Sequence, residues 1–301
     1  MKDENMIFDT IVSRELVDKG WSGDKKYHVY TRDGGEYLLR ISPMERLEQR
    51  RELFRVQKTA EETGVRMCAA VETGVCEEGV YLLQTWVHGQ DAEDVLPDET
   101  EERQYALGMD AGKMLQKLHR IPAPADQADW EKRFNAKMDR KITLHRQCPV
   151  QYAGAEHFIR YIEENRHLLK NRPQSFQHGD YHTGNMMVED GKIVIIDFDR
   201  FDYGDPWEEF NRIVWCAQLS PAFAGGMVDG YFDGPPPDMF WRLLALYIAS
   251  NTLSSVAWAV PYGQQQINVM LKQAADVLAW YDDMHKTCPK WYQPIQKIEK
   301  N

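Results

Sequence analysis

The chain has 301 residues, 43% of them hydrophobic, enough for one two-lobed domain or two modest ones with a sizeable core. A net charge of −11 makes nucleic acid and anionic membrane poor partners, while a cationic small molecule would be drawn in. Five scattered cysteines, odd in number and without a Cys-x-x-Cys pair, point to a reducing cytoplasm and exclude a zinc finger or a disulfide framework.

The opening Met1-Lys2-Asp3-Glu4-Asn5 is too acidic and polar for a secretory signal. Residues 7–41 read as three β-rich runs separated by turns at Gly20–Asp24 and Asp33-Gly34-Gly35, an antiparallel meander. Residues 45–63, rich in Glu and Arg, read as a helix ending at Gly64. Strands at Ala69–Thr73 and Val80–Thr85 complete a five-stranded sheet with one main helix, and Trp86–Gly89 crosses to a second region. From Asp98 onward the pattern is helical. Leu107, Ala111, Met114, Leu115 and Leu118 recur at helical spacing and stop before Pro122. Residues 121–130 read as a loop. The apolar stretch from Met239 to Val260 contains Arg242, Asn251, Thr252, Ser254 and Ser255, which suits a buried core helix better than a membrane span. The expected architecture is α+β, with a small lobe over residues 1–87 and a larger, mostly helical lobe over 88–301.

The chemistry concentrates in His178-Gly179-Asp180-Tyr181-His182-Thr183-Gly184-Asn185 and in Ile195-Ile196-Asp197-Phe198-Asp199. Between them, Met186–Val188 and Ile193–Ile196 flank Asp190-Gly191, the signature of a β-hairpin. A hairpin brings its ends together, so Asp197 should lie beside Asn185. An amide oxygen and a carboxylate suit Mg²⁺, which keeps its other positions for phosphate and water. Asp180 could orient an attacking hydroxyl and take its proton. Farther on, Asp205-Pro206-Trp207-Glu208 reads as a helix start, with Asp205 at the N-cap and Glu208 in a capping box. Trp207, Phe210, Val214 and Ala217 would share its buried face.

These motifs, with Phe201-Asp202-Tyr203-Gly204-Asp205-Pro206, resemble the aminoglycoside phosphotransferase family of small-molecule kinases, which share the bilobal protein-kinase-like fold. The resemblance spans nearly the whole chain and is most specific over residues 178–206. It implies that Asp180 is the catalytic base and that Asn185 and Asp197 hold magnesium. It further implies that Arg40 contacts the nucleotide phosphates, that Glu52 pairs with and directs Arg40, and that the Thr85 carbonyl and Val87 N–H meet the base at the lobe crossing. In the Gly20–Asp24 turn, small residues would let backbone N–H groups approach phosphate and Ser22 would add a hydroxyl. Backbone recognition leaves ATP and GTP both open as donor.

No activation segment fits between Asp197 and Asp205-Pro206, so the acceptor is a small molecule rather than a protein. An aminoglycoside, hence antibiotic resistance, is the first expectation; choline, a sugar amine, homoserine, methylthioribose or a macrolide are others, and a nucleotide-binding pseudokinase is a rival from another class. Asp229, Asp233, Asp282 and Asp283, with Trp130, Trp241, Trp258 and Trp280, are candidates to wall a cationic acceptor's pocket. Arg200 would touch the transferring phosphoryl group or pair with Asp199 or Asp202. The protein is expected to be cytoplasmic and plausibly monomeric.

Overall fold

A computed structural model describes residues 6–18 and 23–293; Ser22 lies outside them. Strands β1 (Ile11–Leu16), β2 (Lys25–Thr31), β3 (Glu36–Ser42), β4 (Ala70–Cys76) and β5 (Gly79–Thr85) form an antiparallel sheet in the order β1-β2-β3-β5-β4. Helix α1 (Leu47–Glu62) connects β3 to β4. Side chains alternate across a strand. Val29, Leu39, Ile41, Tyr81 and Leu83 therefore fill one face, under Phe8 and Ile11. The other face carries Lys26, His28, Leu38 and Arg40, with Lys26 directly opposite Arg40 and His28 opposite Leu38. Part of this face is covered by α1, through Leu53, Val56 and Ala60 against Ala70 and Leu82; the rest looks toward the second lobe.

That lobe begins with β6 (Gln90–Asp91) and α2 (Ala92–Val95), followed by α3 (Glu101–Leu118), α4 (Trp130–Gln147) and α5 (Ala155–Asn165). Short strands β7 (Ser175–Gln177), β8 (Met186–Glu189), β9 (Lys192–Ile195) and β10 (Asp202–Gly204) frame the motif stretch 178–206. Helices α6 (Ile213–Leu219), α7 (Pro221–Phe232), α8 (Asp238–Ala259) and α9 (Gln264–Tyr281) complete it. Local chemistry sets the helix starts. Thr100, Asp129 and Ser220 accept the N–H of Arg103, Lys132 and Phe223, and Pro221 occupies the first turn of α7. Helices α3 and α7 touch backbone to backbone, because Gly108 and Gly112 on one face Gly226 and Gly230 on the other. A Cβ at Gly112 would stand 2.2 Å from the Met227 carbonyl oxygen.

Helix α8 is long and apolar enough to cross a membrane by composition. Here it is the core of the helical lobe, with Phe240, Leu243, Leu244, Tyr247, Ile248 and Leu253 buried among α4, α5 and α9. The five-stranded sheet with its single long helix, the crossing after Thr85 and the helical second lobe are the protein-kinase-like arrangement expected from the sequence. The start at Asp205 differs. Residues Glu208–Arg212 form a 3₁₀ segment and the α-helix begins at Ile213. The Asp205 carboxylate does accept the Trp207 N–H at 3.0 Å. It is also wholly buried and receives Arg172 and the Tyr247 hydroxyl, so it joins α8 to the motif stretch rather than simply capping a helix.

Candidate active site

The β8–β9 hairpin forms as its sequence demands. Met186 pairs with Ile195, and Asp190 and Gly191 both take positive φ, as a type I′ turn requires. The hairpin places Asn185 beside the far strand, where its carbonyl accepts the Ile196 N–H at 3.0 Å. The Asn185 Nδ2 donates to the Asp180 carbonyl at 2.9 Å, fixing the loop. Buried His178 accepts the Asp180 N–H at Nδ1 (3.3 Å) and faces the Ile196 carbonyl through Nε2 at 3.0 Å. Gly179 has φ +84°, and a Cβ there would lie 1.9 Å from the Arg200 carbonyl oxygen, so only glycine serves. Its N–H is held at 3.0 Å by Glu209, a carboxylate 1% exposed. One backbone network thus ties Asp180, Asn185 and residue 196 together.

Two guanidinium groups and an imidazole surround the Asp180 carboxylate: Arg212 Nε at 3.2 Å, Arg200 Nη1 at 3.7 Å and His182 Nε2 at 3.6 Å. Burial pushes its pKa up, but the bond to His182 and the charges of Arg212, His182 and Arg200 outweigh burial and hold it well below the usual carboxylate range. The carboxylate is therefore ionised at neutral pH. Arg200 lies against Asp180, whereas Asp202 pairs with Arg133 and Asp199 pairs elsewhere.

Asp197 follows the hairpin with φ +63°, a left-handed conformation that Asp tolerates and most residues do not. Its Oδ1 meets Arg40 Nη1 at 3.3 Å. Arg40, 3% exposed, also donates to Asp24 at 3.0 Å and to Asp199. A second buried arginine, Arg50 on α1, donates to Asp199 at 2.6 Å, to Ser42 Oγ at 2.7 Å and to Asp24. Two arginines and three aspartates thus interlock at the mouth of the cleft.

This arrangement corrects the expectation for Glu52. Glu52 is half exposed, pairs with Arg55 at 2.6 Å and lines a small cavity with Val56, Ile121, Phe176 and Tyr203. The buried side of α1 runs through Arg50, Leu53, Val56, Gln57 and Ala60. Helical phase therefore sends Arg50 inward and Glu52 outward, and Asp24 and Asp199 supply the acids that direct Arg40. The phase was readable from Leu53, Val56 and Ala60. The partnership with Asp199 was not, because 149 residues separate it from Arg50. Among the acids considered for the pocket wall, Asp229 accepts the hydroxyls of Tyr105 and Tyr292. Asp233, Asp282 and Asp283 take positive φ, Asp233 and Asp282 as the C-caps of α7 and α9. Trp130 and Trp241 are core.

At the crossing, Thr85 ends β5 and its Oγ1 accepts the Ala69 N–H at 2.9 Å; Val87 lies in the segment between β5 and β6. Between them, the Trp86 ring stacks on His28 at 3.6 Å, with planes 4° apart. Sequence reading missed this pair, although alternation along β2 puts His28 on the cleft face.

Among the described residues, no group of three or more His, Cys, Asp or Glu is placed to hold a metal unaided. A cation here needs further ligands, which a triphosphate would bring. The residues suit such a pair: Asn185 and Asp197 offer hard oxygens, and the Arg40 Nε is buried without a hydrogen-bond partner, a donor a phosphate oxygen could satisfy.

The profile of the phosphotransferase enzyme family matches residues 13–241. No curated protein matches. Among solved structures, a thermostable mutant of aminoglycoside phosphotransferase APH(4)-Ia, in ternary complex with ADP and hygromycin B, aligns at TM-score 0.65 and 14% identity, over 90% of this chain and 95% of the other. A choline/ethanolamine kinase family protein from Mesorhizobium loti aligns at 0.65 and 14%, over 91% of each chain. Amicoumacin kinase hAmiN, with AMP-PNP, Ca²⁺ and Ami, aligns at 0.63 and 13%, over 97% and 96%. At these identities the likeness is one of fold. The matched profile covers most of the sequence and includes the motif stretch: the chain belongs to the phosphotransferase enzyme family.

Proposed function

We propose that the protein is a magnesium-dependent kinase that moves the γ-phosphoryl group of ATP or GTP to a hydroxyl of a small molecule. The observation that carries this reading is the Asp180 loop: an ionised carboxylate held in place by Asn185, His178 and Glu209 and surrounded by two guanidinium groups and an imidazole. The nucleotides in the structural relatives, ADP and AMP-PNP, favour an adenine donor. The reading belongs in the cytoplasm, where nucleoside triphosphates are abundant.

Asp180 orients the acceptor hydroxyl and takes its proton as the new bond to phosphorus forms. Arg40 and Lys26, neighbours on the cleft face of the sheet, offset charge on the phosphates. Arg200, half exposed beside Asp180, would steady the phosphoryl group in transfer. Asn185 and Asp197 would hold magnesium, whose charge neutralises the phosphates. The transition state is loose, so positioning and charge neutralisation supply most of the acceleration.

Asp180→Asn keeps the loop's backbone bonds and removes the proton acceptor. Turnover should fall on the order of 10²–10⁴-fold with Mg-ATP affinity little changed, read by a coupled nucleotide-consumption assay and a thermal-shift titration. Undiminished turnover would remove Asp180 from the role.

A further inference from the structure

The helical-lobe side of Asp180 is basic in a chain that is acidic overall. Helix α4 carries six Lys and Arg residues (Lys132, Arg133, Lys137, Arg140, Lys141, Arg146) against Glu131 and Asp139, a surplus of four where the whole chain sums to −11. Its Trp130, Phe134, Met138 and Ile142 are buried. Lys137 and Lys141, one turn apart, flank that buried stripe, and Lys137 reaches Glu208.

The two lysines differ in their company. Lys137 is paired with Glu208 at 3.0 Å, and Glu208 also receives Gln177 at 3.1 Å. Lys141 makes one hydrogen bond among the described residues, to the neutral Asn251 Oδ1 on α8 at 3.3 Å, and has no ion pair there. Burial and then Lys137 push its ammonium down to about 7; Glu208 opposes them and Arg212 adds to them. Lys141 nevertheless keeps some accessible surface, so it lies in a recess rather than inside the core. Arg212 connects this recess to the chemistry, because its Nε stands 3.2 Å from Asp180 Oδ1.

An ammonium enclosed by protein without a counter-charge is costly unless it loses its proton or gains an anion. The carboxylates that could serve are already engaged: Glu208 by Lys137 and Gln177, Asp180 by Arg212, His182 and Arg200. Phosphates of the donor do not account for Lys141. It projects from α4 against α8, both in the helical lobe, whereas Arg40 and Lys26 stand on the sheet. An amine-bearing acceptor would meet like charge in this recess.

We propose that Lys141 and Arg212 form an anion-binding subsite for the acceptor, which carries a carboxylate or phosphate group docked between α4 and α8 while its hydroxyl reaches Asp180. The inference rests on the kinase reading above and replaces the cationic acceptor that net charge alone suggested. Total charge reports the mean surface, while recognition follows the few groups lining the recess.

The test is turnover with Mg-ATP across hydroxyl compounds matched for size and varied in charge. Hydroxy acids such as glycerate and phosphomonoesters such as glycerol 3-phosphate form two anionic arms, separating carboxylate from phosphate. Glycerol is the neutral arm, and choline and hygromycin B the cationic one. Turnover should be confined to the anionic arms. For the best acceptor, Lys141→Met should raise KM at least about tenfold with kcat nearly unchanged, and Lys141→Arg should restore much of it. Asn251→Asp, close to isosteric, sets a carboxylate against the ammonium and should raise KM likewise without disturbing the fold. A cationic or neutral compound as best acceptor, no turnover in either anionic arm despite normal Mg-ATP binding, or a KM indifferent to both Lys141→Met and Asn251→Asp would overturn the subsite. Loss of Mg-ATP binding itself would instead sink the kinase reading.

Discussion

Asp24 shows how one side chain organises the sheet-lobe side of the cleft. It leaves the turn between β1 and β2 and its carboxylate is wholly buried. Ser42, Arg40, Arg50 and Arg46 all donate to it. Burial pushes its pKa up, but Ser42, Arg50 and Arg40 together hold it below the ordinary carboxylate value. A depressed folded-state pKa stabilises the fold above the unfolded value, near 4, and that contribution is lost as pH falls through the folded value. Asp24→Asn leaves two buried guanidinium groups short of a counter-charge and should cost on the order of 3 kcal/mol at pH 7. In urea titrations the gap between the parent and the variant should stay constant from neutral pH to about 4 and close below it. A gap that widened on acidification would contradict the sign. Asp180, Asn185 and Asp197 stood out as candidates in the sequence because a β-hairpin links them. Asp24 did not, since nothing local marks an aspartate that will meet arginines 16 and 26 residues away.

At the scale of elements, period decided what could be read. The alternation and turns of the first lobe gave its strands, and the 3.6-residue recurrence gave α3, whose end falls before Pro122 as expected. The same recurrence placed Arg50 rather than Glu52 on the inner side of α1, so the error there came from matching a motif ahead of the helix's own phase. What the sequence could not show was how α3 meets α7. Glycines at 108 and 112 look unfavourable in a helix until the opposing glycines 226 and 230 bring two backbones into contact. Two alanine substitutions separate the effects. Gly225, on the same helix α7, has nothing within 4 Å of an added Cβ; Gly225→Ala should stabilise by roughly 0.5–1 kcal/mol through helix propensity. Gly112→Ala drives a Cβ into the Met227 carbonyl and should destabilise by about 1–3 kcal/mol, a fall in Tm of roughly 2–4 °C per kcal/mol. Opposite signs in thermal melts are the expected result, and equal shifts would mean the helices separate without strain.

Across the whole molecule, the two lobes are joined at the back by backbone and at the front by charge. At the back, Met67 bridges Ile195, the Cys68 N–H donates to the Ile195 carbonyl at 3.0 Å, and the Ile195 N–H donates to the Arg66 carbonyl at 2.9 Å. At the front, Arg40 and Arg50 of the sheet lobe hold Asp197 and Asp199 of the motif stretch. In the proposed kinase the front contacts are ones a nucleotide would share, because Arg40 holds the acids and would also meet the phosphates. Cutting them should loosen the cleft without unfolding either lobe. In Asp199→Asn, amide exchange should quicken in residues 23–31 and in α1, while α3, α7 and α8, packed on their own core, keep their protection. Mg-ATP should bind more weakly, since an Arg40 that has lost one of its acids is less firmly aimed, and part of the exchange protection should return when Mg-ATP is saturating. Faster exchange spread evenly over both lobes would instead mean that Asp199 supports the fold as a whole, and unchanged exchange in residues 23–31 would mean that the backbone links alone set the angle between the lobes.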